Sequence, residues 1–283
     1  MIIKTKRKML LARGVQSIVM AARRLIGRGA TTQVTRQGLR WELDLREGID
    51  FSIWLLGSFE PETVRCYQRL IQPGDVVLDI GANIGAHTLH LARSVGPAGR
   101  VIAFEPTDYA FAKLTRNAAL NHGLSGRIRC LQFLLGDTDQ PDAPNAPLYS
   151  SWPLKDEAGL HHLHQGRLMT TDGARAHTLD TALASAGLSR LDCIKLDIDG
   201  AEVAMLRGAR ESLTRWHPTI VMELAPYVLE EKGASLGELI ALLQDYGYLI
   251  TDANTGRTLA MDAALLQSLI PPGASLNVVA RAA

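Results

Sequence analysis

Three features of the sequence predict an α/β architecture, a mostly parallel sheet with helices on both faces that closes on an antiparallel pair. Apolar runs of strand length alternate with amphipathic helical runs from Val76 onward. Gly81 and Gly85 stand where the first of these strands turns into the first helix. A turn at Asn254-Thr255-Gly256 precedes a last strand-like run, Asn277 to Ala280. With 283 residues and 47% hydrophobic content, the chain can bury the core such a sheet requires within one globular domain.

Residues 1–30 form an N-terminal extension, and residues 31–283 the domain proper. In the extension Met9, Leu10, Leu11, Val15, Ile18, Val19, Leu25 and Ile26 recur near helical spacing, which predicts an amphipathic helix. Within residues 31–72, polar and apolar residues alternate in Gln33-Val34-Thr35 and Trp41-Glu42-Leu43-Asp44-Leu45. Gly38 and Gly48 read as turn punctuation, so this is an accessory layer of short strands. Glu60-Pro61-Glu62 then opens a leading helix that Pro73-Gly74 stops. Strands follow at Val76–Ile80, Val101–Glu105, Ile128–Leu135, Cys193–Asp197 and Ile220–Leu224. Helices are expected at Ala86–Ser94, Asp108–Leu120, Thr181–Ala186, Glu202–Leu213 and Leu236–Tyr246, with a further strand at Tyr248–Asp252. Residues 137–177 break this rhythm. They leave the sheet at a strand's C-terminal end, where open α/β folds bind ligands, and read as a substrate lid.

Formal net charge is +1, which points to no nucleic-acid partner. Residues 1–29 nevertheless hold eight Lys or Arg and no acid, leaving 22 basic against 29 acidic groups, net −7, in the other 254 residues. A basic amphipathic helix can lie on an anionic membrane surface, pack on its own domain or form a partly disordered tail. No run approaches a membrane span, and Arg13 interrupts any secretory core, so a cytoplasmic protein is expected, with peripheral contact at the inner membrane face open. Cys66, Cys130 and Cys193 are too far apart for a zinc or redox motif and read as buried thiols.

The glycines of the first turn are spaced Gly-x-x-x-Gly, not as in the dinucleotide fingerprint. Asp79, two residues earlier, would repel a pyrophosphate but suits the ammonium of an amino-acid ligand. Glu105, 26 residues on, ends the second strand where an acid can accept both ribose hydroxyls; alternatively it caps the helix after Pro106. Asp137 can accept from an adenine amino group or serve as an ordinary turn residue. Asp197, Asp199 and Glu202 gather at the end of the fourth strand, where one could act as a base on a hydroxyl or all three could gather a divalent cation. Capping by Asp199 with Glu202 on the first turn explains two of these acids but not Asp197 in its apolar strand. His161-x-x-His164 could bind a metal, but no cysteine or nearby acid completes a site, and no metal is expected.

Four stretches resemble the FkbM family of class I methyltransferases: Phe59 to Glu62, Val77 to Gly85, Val101 to Pro106, and Ile194 to Glu202. Thr178-Leu179-Asp180 and Pro218 to Glu223 resemble family patterns as well, so that only the basic arm lies outside the likeness. The resemblance implies a Rossmann-like seven-strand sheet, S-adenosylmethionine as cofactor, and O-methylation of a sugar, glycolipid or other natural-product hydroxyl. By the same likeness Asp79, Gly81, Asn83 and Gly85 line the methionine part, Glu105 the ribose and Asp137 the adenine. Glu60 closes over the cofactor, while Asp197, Asp199, Glu202 and Glu223 face a small-molecule or glycan acceptor. His87 and His90 answer to no family requirement. The rival readings are an NAD(P)-dependent oxidoreductase, disfavoured by the glycine spacing and Asp79, and a non-catalytic binding module, disfavoured by the intact acids and glycines.

Overall fold

The computed structural model describes residues 5–140, 146–155, 158–162 and 164–283, with side chains from Ala12 onward. The remaining lid positions, and the side chains of Met9, Leu10 and Leu11, lie outside the described residues. The chain begins with α1 (Thr5–Leu25), a hairpin of β1 (Thr31–Arg36) and β2 (Leu39–Asp44), α2 (Gly48–Leu56) and α3 (Pro61–Leu70). Alternation starts with β3 (Val76–Ile80), α4 (Thr88–Ser94), β4 (Arg100–Phe104), α5 (Asp108–Leu120), the one-turn α6 (His122–Ser125) and β5 (Ile128–Leu131). Four short strands follow: β6 (Phe133–Leu135), β7 (Leu148–Ser151), β8 (Arg167–Met169) and β9 (Arg175–His177). Alternation resumes with α7 (Leu179–Ala184), β10 (Cys193–Leu196), α8 (Glu202–Arg207), α9 (Arg210–Trp216) and β11 (Thr219–Leu224). The last elements are α10 (Pro226–Glu231), α11 (Leu236–Asp245), β12 (Tyr248–Asp252), α12 (Ala263–Leu269) and β13 (Leu276–Ala282).

Among the described residues seven strands form the main sheet, in the order β12-β13-β11-β10-β3-β4-β5. Only β13 runs antiparallel to its neighbours, and it does so to both β11 and β12. This is the mostly parallel, Rossmann-like seven-strand sheet that the sequence predicts. The two-residue period sorts the side chains. Leu78, Ile80, Ile194, Leu196 and Ile220 face a large core with Leu183, Met205, Leu206, Leu213 and Leu239 from the helices on that side. Val77, Val101, Cys193 and Val221 face α3 and α4 through Tyr67, Leu91 and Val95. The thiols of Cys66 and Cys193 are buried and that of Cys130 half-buried, and all three are free.

Three local expectations are corrected. The accessory layer is not strands alone: Gly48 opens α2 instead of marking a turn, because Ile49, Phe51 and Ile53 bury against Trp41, Leu43 and Leu45 of the hairpin. The run Ile128–Leu135 splits at Gln132, whose side chain donates to Asp108 Oδ1 (2.6 Å). Beyond that point β6 leaves the sheet to pair with β9. The expected helix Glu202–Leu213 divides into α8 and α9. A Cβ on Gly208 would lie 2.1 Å from the Gly136 carbonyl oxygen, and Asp180 of α7 accepts from the Glu211 and Ser212 N–H groups (2.9 and 2.8 Å), capping the second helix from outside. No helix among the described residues is long and apolar enough to cross a membrane.

Candidate active site

From β3 the chain builds outward to β4 and β5, then returns to lay β10 on the other side of β3. The two strands therefore flank a switch in connection direction, and it is at the C-terminal ends of such strands that open α/β sheets take their ligands. Gly81 (φ +78°) turns the chain there, its N–H and that of Ala82 donating to the Phe104 carbonyl (3.1 and 2.9 Å). A Cβ on Gly81 would lie 1.8 Å from the Asp197 carbonyl oxygen, and one on Gly85 (φ +88°) 3.1 Å from Leu114 Cδ1. What crowds these glycines is thus the neighbouring strand and helix.

Asp79 and Lys195 are register partners across β3 and β10, so their side chains share a face. Both are buried. Thr88 Oγ1 donates to Asp79 Oδ2 (2.5 Å), whereas Asp79 Oδ1, 3.9 Å from Lys195 Nζ, has no hydrogen-bond partner among the described residues. Burial raises the Asp79 pKa, opposed by Lys195 and Thr88. Lys195 Nζ also donates to the Gly81 carbonyl and to Asp197 Oδ2, both at 3.4 Å. Its burial disfavours the charge, but Asp197, Asp79 and Glu60 outweigh it and raise the pKa. A lone ammonium thus holds the acids of two strands together. Lys195 is a functional residue without a motif of its own, although a lysine within Cys193-Ile194-Lys195-Leu196 signals that an acid must meet it inside the sheet.

Glu105 is buried and carries a raised pKa from that burial. Its Oε2 accepts from the Asn83 N–H (2.9 Å), and its Oε1 from the Thr107 N–H (3.0 Å) and hydroxyl (2.5 Å). Asn83 holds a positive φ of 48° and donates from Nδ2 to the Ser150 carbonyl (3.0 Å). Ser150 Oγ sits 3.4 Å from Glu105 Oε1 and 2.7 Å from Thr107 Oγ1, a hydroxyl already resting on the acid expected to take ribose hydroxyls. Together with the orphaned Asp79 Oδ1, this donor and acceptor set fits an amino-acid nucleoside: an acceptor for an ammonium and an acid for hydroxyls, with no phosphate cradle.

Asp197, Asp199, Glu202 and Glu223 converge beyond Lys195. Glu202 is buried with Oε1 accepting from the Ile198 N–H (3.2 Å); the cap expected at Asp199 is not formed, since Ala201 stands at the N-cap of α8 with no side-chain cap bond. Burial pushes its pKa up to about 7. Asp199, at φ 48°, is half-buried, and burial with Asp197 and Glu202 nearby raises its pKa well above the usual carboxylate range. Glu223 is likewise raised by burial and by Asp197 and Glu60, against a hydrogen bond from Ser275. Glu60, at φ 42° before α3, accepts from Thr63 Oγ1 (3.2 Å) and lies 3.7 Å from Nε2 of buried His87. His87 Nδ1 is 3.4 Å from the Tyr67 hydroxyl, and burial holds its pKa well below the usual value.

The Glu202 shift has a consequence for stability. The folded pKa of about 7 exceeds the ordinary glutamate value of 4.5, so the unfolded chain releases its proton first and stability falls as pH rises from about 4.5 to about 7. The Glu202→Gln variant is expected to flatten that decline by something on the order of 3 kcal/mol, read from urea midpoints at pH 5 and pH 8. An unchanged slope would remove Glu202 as its source.

Asp137 is exposed, and its carboxylate accepts only from Thr138 (3.5 Å) among the described residues, apart from the other acids. The segment expected to be a lid contacts elements on two sides of the site. Ser151 Oγ donates to Glu47 Oε2 (2.7 Å) on the accessory side, and His161 Nε2 meets Glu231 of α10 at 3.1 Å on the other. The fold thus supplies an acid that sequence spacing did not, with ligand atoms of His161, His164 and Glu231 within 4.8 Å of one another. Backbone N–H groups nevertheless donate to Nδ1 of both histidines (3.4 and 3.1 Å), placing the ring protons on Nε2, the tautomer a metal there cannot use. Tyr149 packs edge-on against both rings, with centroids 5.0 and 4.8 Å away.

A family profile described as "Methyltransferase FkbM domain" matches residues 79–250, more than half the chain. The chain is 30% identical to methyltransferase sdnD of Sordaria araneosa, over 67% of its own length and 80% of that protein. It is 30% identical to the 31-O-demethyl-FK506 methyltransferase FkbM of Streptomyces tacrolimicus, over 66% of its own length and 79% of that protein. An rRNA methyltransferase of Streptomyces thermotolerans is 30% identical over 87% of this chain and 79% of its own. The profile covers the turn after β3, Glu105 and the acids after β10, and the chain belongs to the FkbM family of S-adenosylmethionine-dependent methyltransferases.

Proposed function

We propose that this enzyme transfers the methyl group to a hydroxyl oxygen of a small-molecule or glycan acceptor. The observation that carries this reading is the ion pair of Lys195 and Asp197 at the mouth, with Asp199 beside it. S-adenosylmethionine, when bound, supplies a methyl group already activated on a sulfonium, so the chain's task is to position an oxygen and accept its proton. Asp79, Gly81, Asn83 and Gly85 hold the methionine end, Glu105 the ribose, and Glu60 flanks them; Asp137 is assigned the adenine. Asp197 is the general base: it is the partner of the ammonium and is 30% exposed toward the mouth. Asp199, whose pKa burial and the neighbouring Asp197 and Glu202 raise, faces the acceptor beside it; Glu202 fixes the loop that carries both.

The name of the FkbM relative supports oxygen as the methylated atom. The name of the rRNA methyltransferase raises an RNA acceptor, but a crowd of carboxylates at the mouth and a net charge of −7 outside the first 29 residues oppose a phosphate backbone. The test is methyl-labelled donor incubated with a panel of hydroxylated acceptors and with RNA, locating the label by mass spectrometry. Label on an oxygen of a non-nucleic acceptor is the expected result, and label on RNA or on nitrogen overturns the reading. Asp79→Ala, run alongside, is expected to weaken S-adenosylhomocysteine binding by about 100-fold in calorimetry, since it removes the orphaned acceptor; unchanged affinity would sink the cofactor assignment.

A further inference from the structure

α1 turns the wrong face inward for a helix that serves only its own domain. Its inner side is anchored by polar groups: Gln16 Nε2 donates to the Leu45 carbonyl (3.2 Å), Arg23 Nε to the Gly29 carbonyl (2.9 Å), and Arg13 Nη2 to Gln165 Oε1 of the lid (3.3 Å). Gln16 and Arg23 are buried, with Val19 and Met20 half-buried beside them. The outer side carries Val15, Ile18, Ala22 and Leu25, spaced three, four and three residues apart, a single stripe along the helix. Ile18 is 73% exposed, Leu25 89% and the adjoining Ile26 66%. Leu56 of α2, the helix against which α1 packs, is 62% exposed as well. Arg24, in the last turn of the helix, and Arg28, just beyond it, are exposed, within a segment of eight cations and no acid.

We propose that this face of α1 docks the enzyme on an anionic lipid surface, lying in the interface with its apolar stripe among the acyl chains and the exposed Arg24 and Arg28 at the headgroups. The surface calls for a partner that is apolar and negatively charged at once. A second copy meets the first condition but brings another wholly cationic segment against this one, and a nucleic acid meets only the second. The polar anchors set the orientation, since Gln16, Arg23 and Arg13 hold the other side of the helix against the protein.

The experiment is co-sedimentation of the full chain with vesicles of phosphatidylcholine alone and of phosphatidylcholine with about one-third phosphatidylglycerol. The chain is expected to pellet with the anionic vesicles at low salt. The Ile18→Glu, Leu25→Glu double variant, with both changes on the exposed side, is expected to lower the bound fraction about tenfold or more while keeping its melting temperature and its methyl transfer in free solution. Failure to pellet with anionic vesicles overturns the proposal, as does pelleting that the double variant does not diminish. A dimer in sedimentation velocity that the double variant dissolves, without vesicle binding, overturns it in favour of self-association.

Discussion

Replacing Asp197 by Asn is expected to lower kcat by about 10²–10⁴-fold while leaving S-adenosylhomocysteine affinity within about threefold. Asn retains the size and one hydrogen-bond acceptor for Lys195 Nζ, 3.4 Å away in the native protein, but cannot take a proton from an alcohol. Lys195 keeps Asp79 at 3.9 Å and the Gly81 carbonyl at 3.4 Å, so its burial stays partly compensated and the fold should hold. The split between kcat and cofactor affinity distinguishes a base from a residue that merely maintains the site, because the latter would move both. If kcat falls by less than about threefold, the proton goes elsewhere, and the lid histidines become the groups to replace.

Gly81→Ala is expected to destabilise the protein by at least about 4 kcal/mol, seen as a fall of about 10 °C or more in melting temperature or as insoluble expression. Two costs combine. The backbone at φ +78° disfavours any side chain, and the new Cβ would lie 1.8 Å from the Asp197 carbonyl oxygen. Nothing flexible can yield, since that oxygen belongs to the backbone immediately after β10, whose Asp197 N–H donates to the Ile80 carbonyl at 3.1 Å. Gly85→Ala, facing the movable end of Leu114 at 3.1 Å, should cost visibly less. Equal losses for the two would mean that φ alone sets the requirement.

The central strands β3, β4, β10 and β11 were legible because they are largely buried and read as mostly apolar runs. α5 was legible to its ends, since Pro106-Thr107 before it and Asn121 after it punctuate the chain locally. α2 was missed because its one early glycine outweighed a helix whose support comes from the hairpin beside it. The α8–α9 break was hidden for a related reason: Gly208 is crowded by Gly136 and the second helix is capped by Asp180, neither of which is near it in sequence. At the site, the acids were readable as a motif. The coupling of Asp79 to Asp197 through Lys195 required the register of two strands more than a hundred residues apart. Ser150 on Glu105, and Glu231 beside His161, were beyond reach because they depend on how the segment expected to be a lid packs.

The position of β13 bears on how the protein fails. It pairs with β11 through Ile220–Leu224 and with β12 through Tyr248–Asp252, and so lies inside the sheet. Clipping between α12 and Leu276 would therefore expose two open edges at once, the interior strand β11 and the stranded β12, each with unpaired N–H and carbonyl groups available to another chain. Proteolysis there should turn a folded enzyme into a template for intermolecular strand pairing.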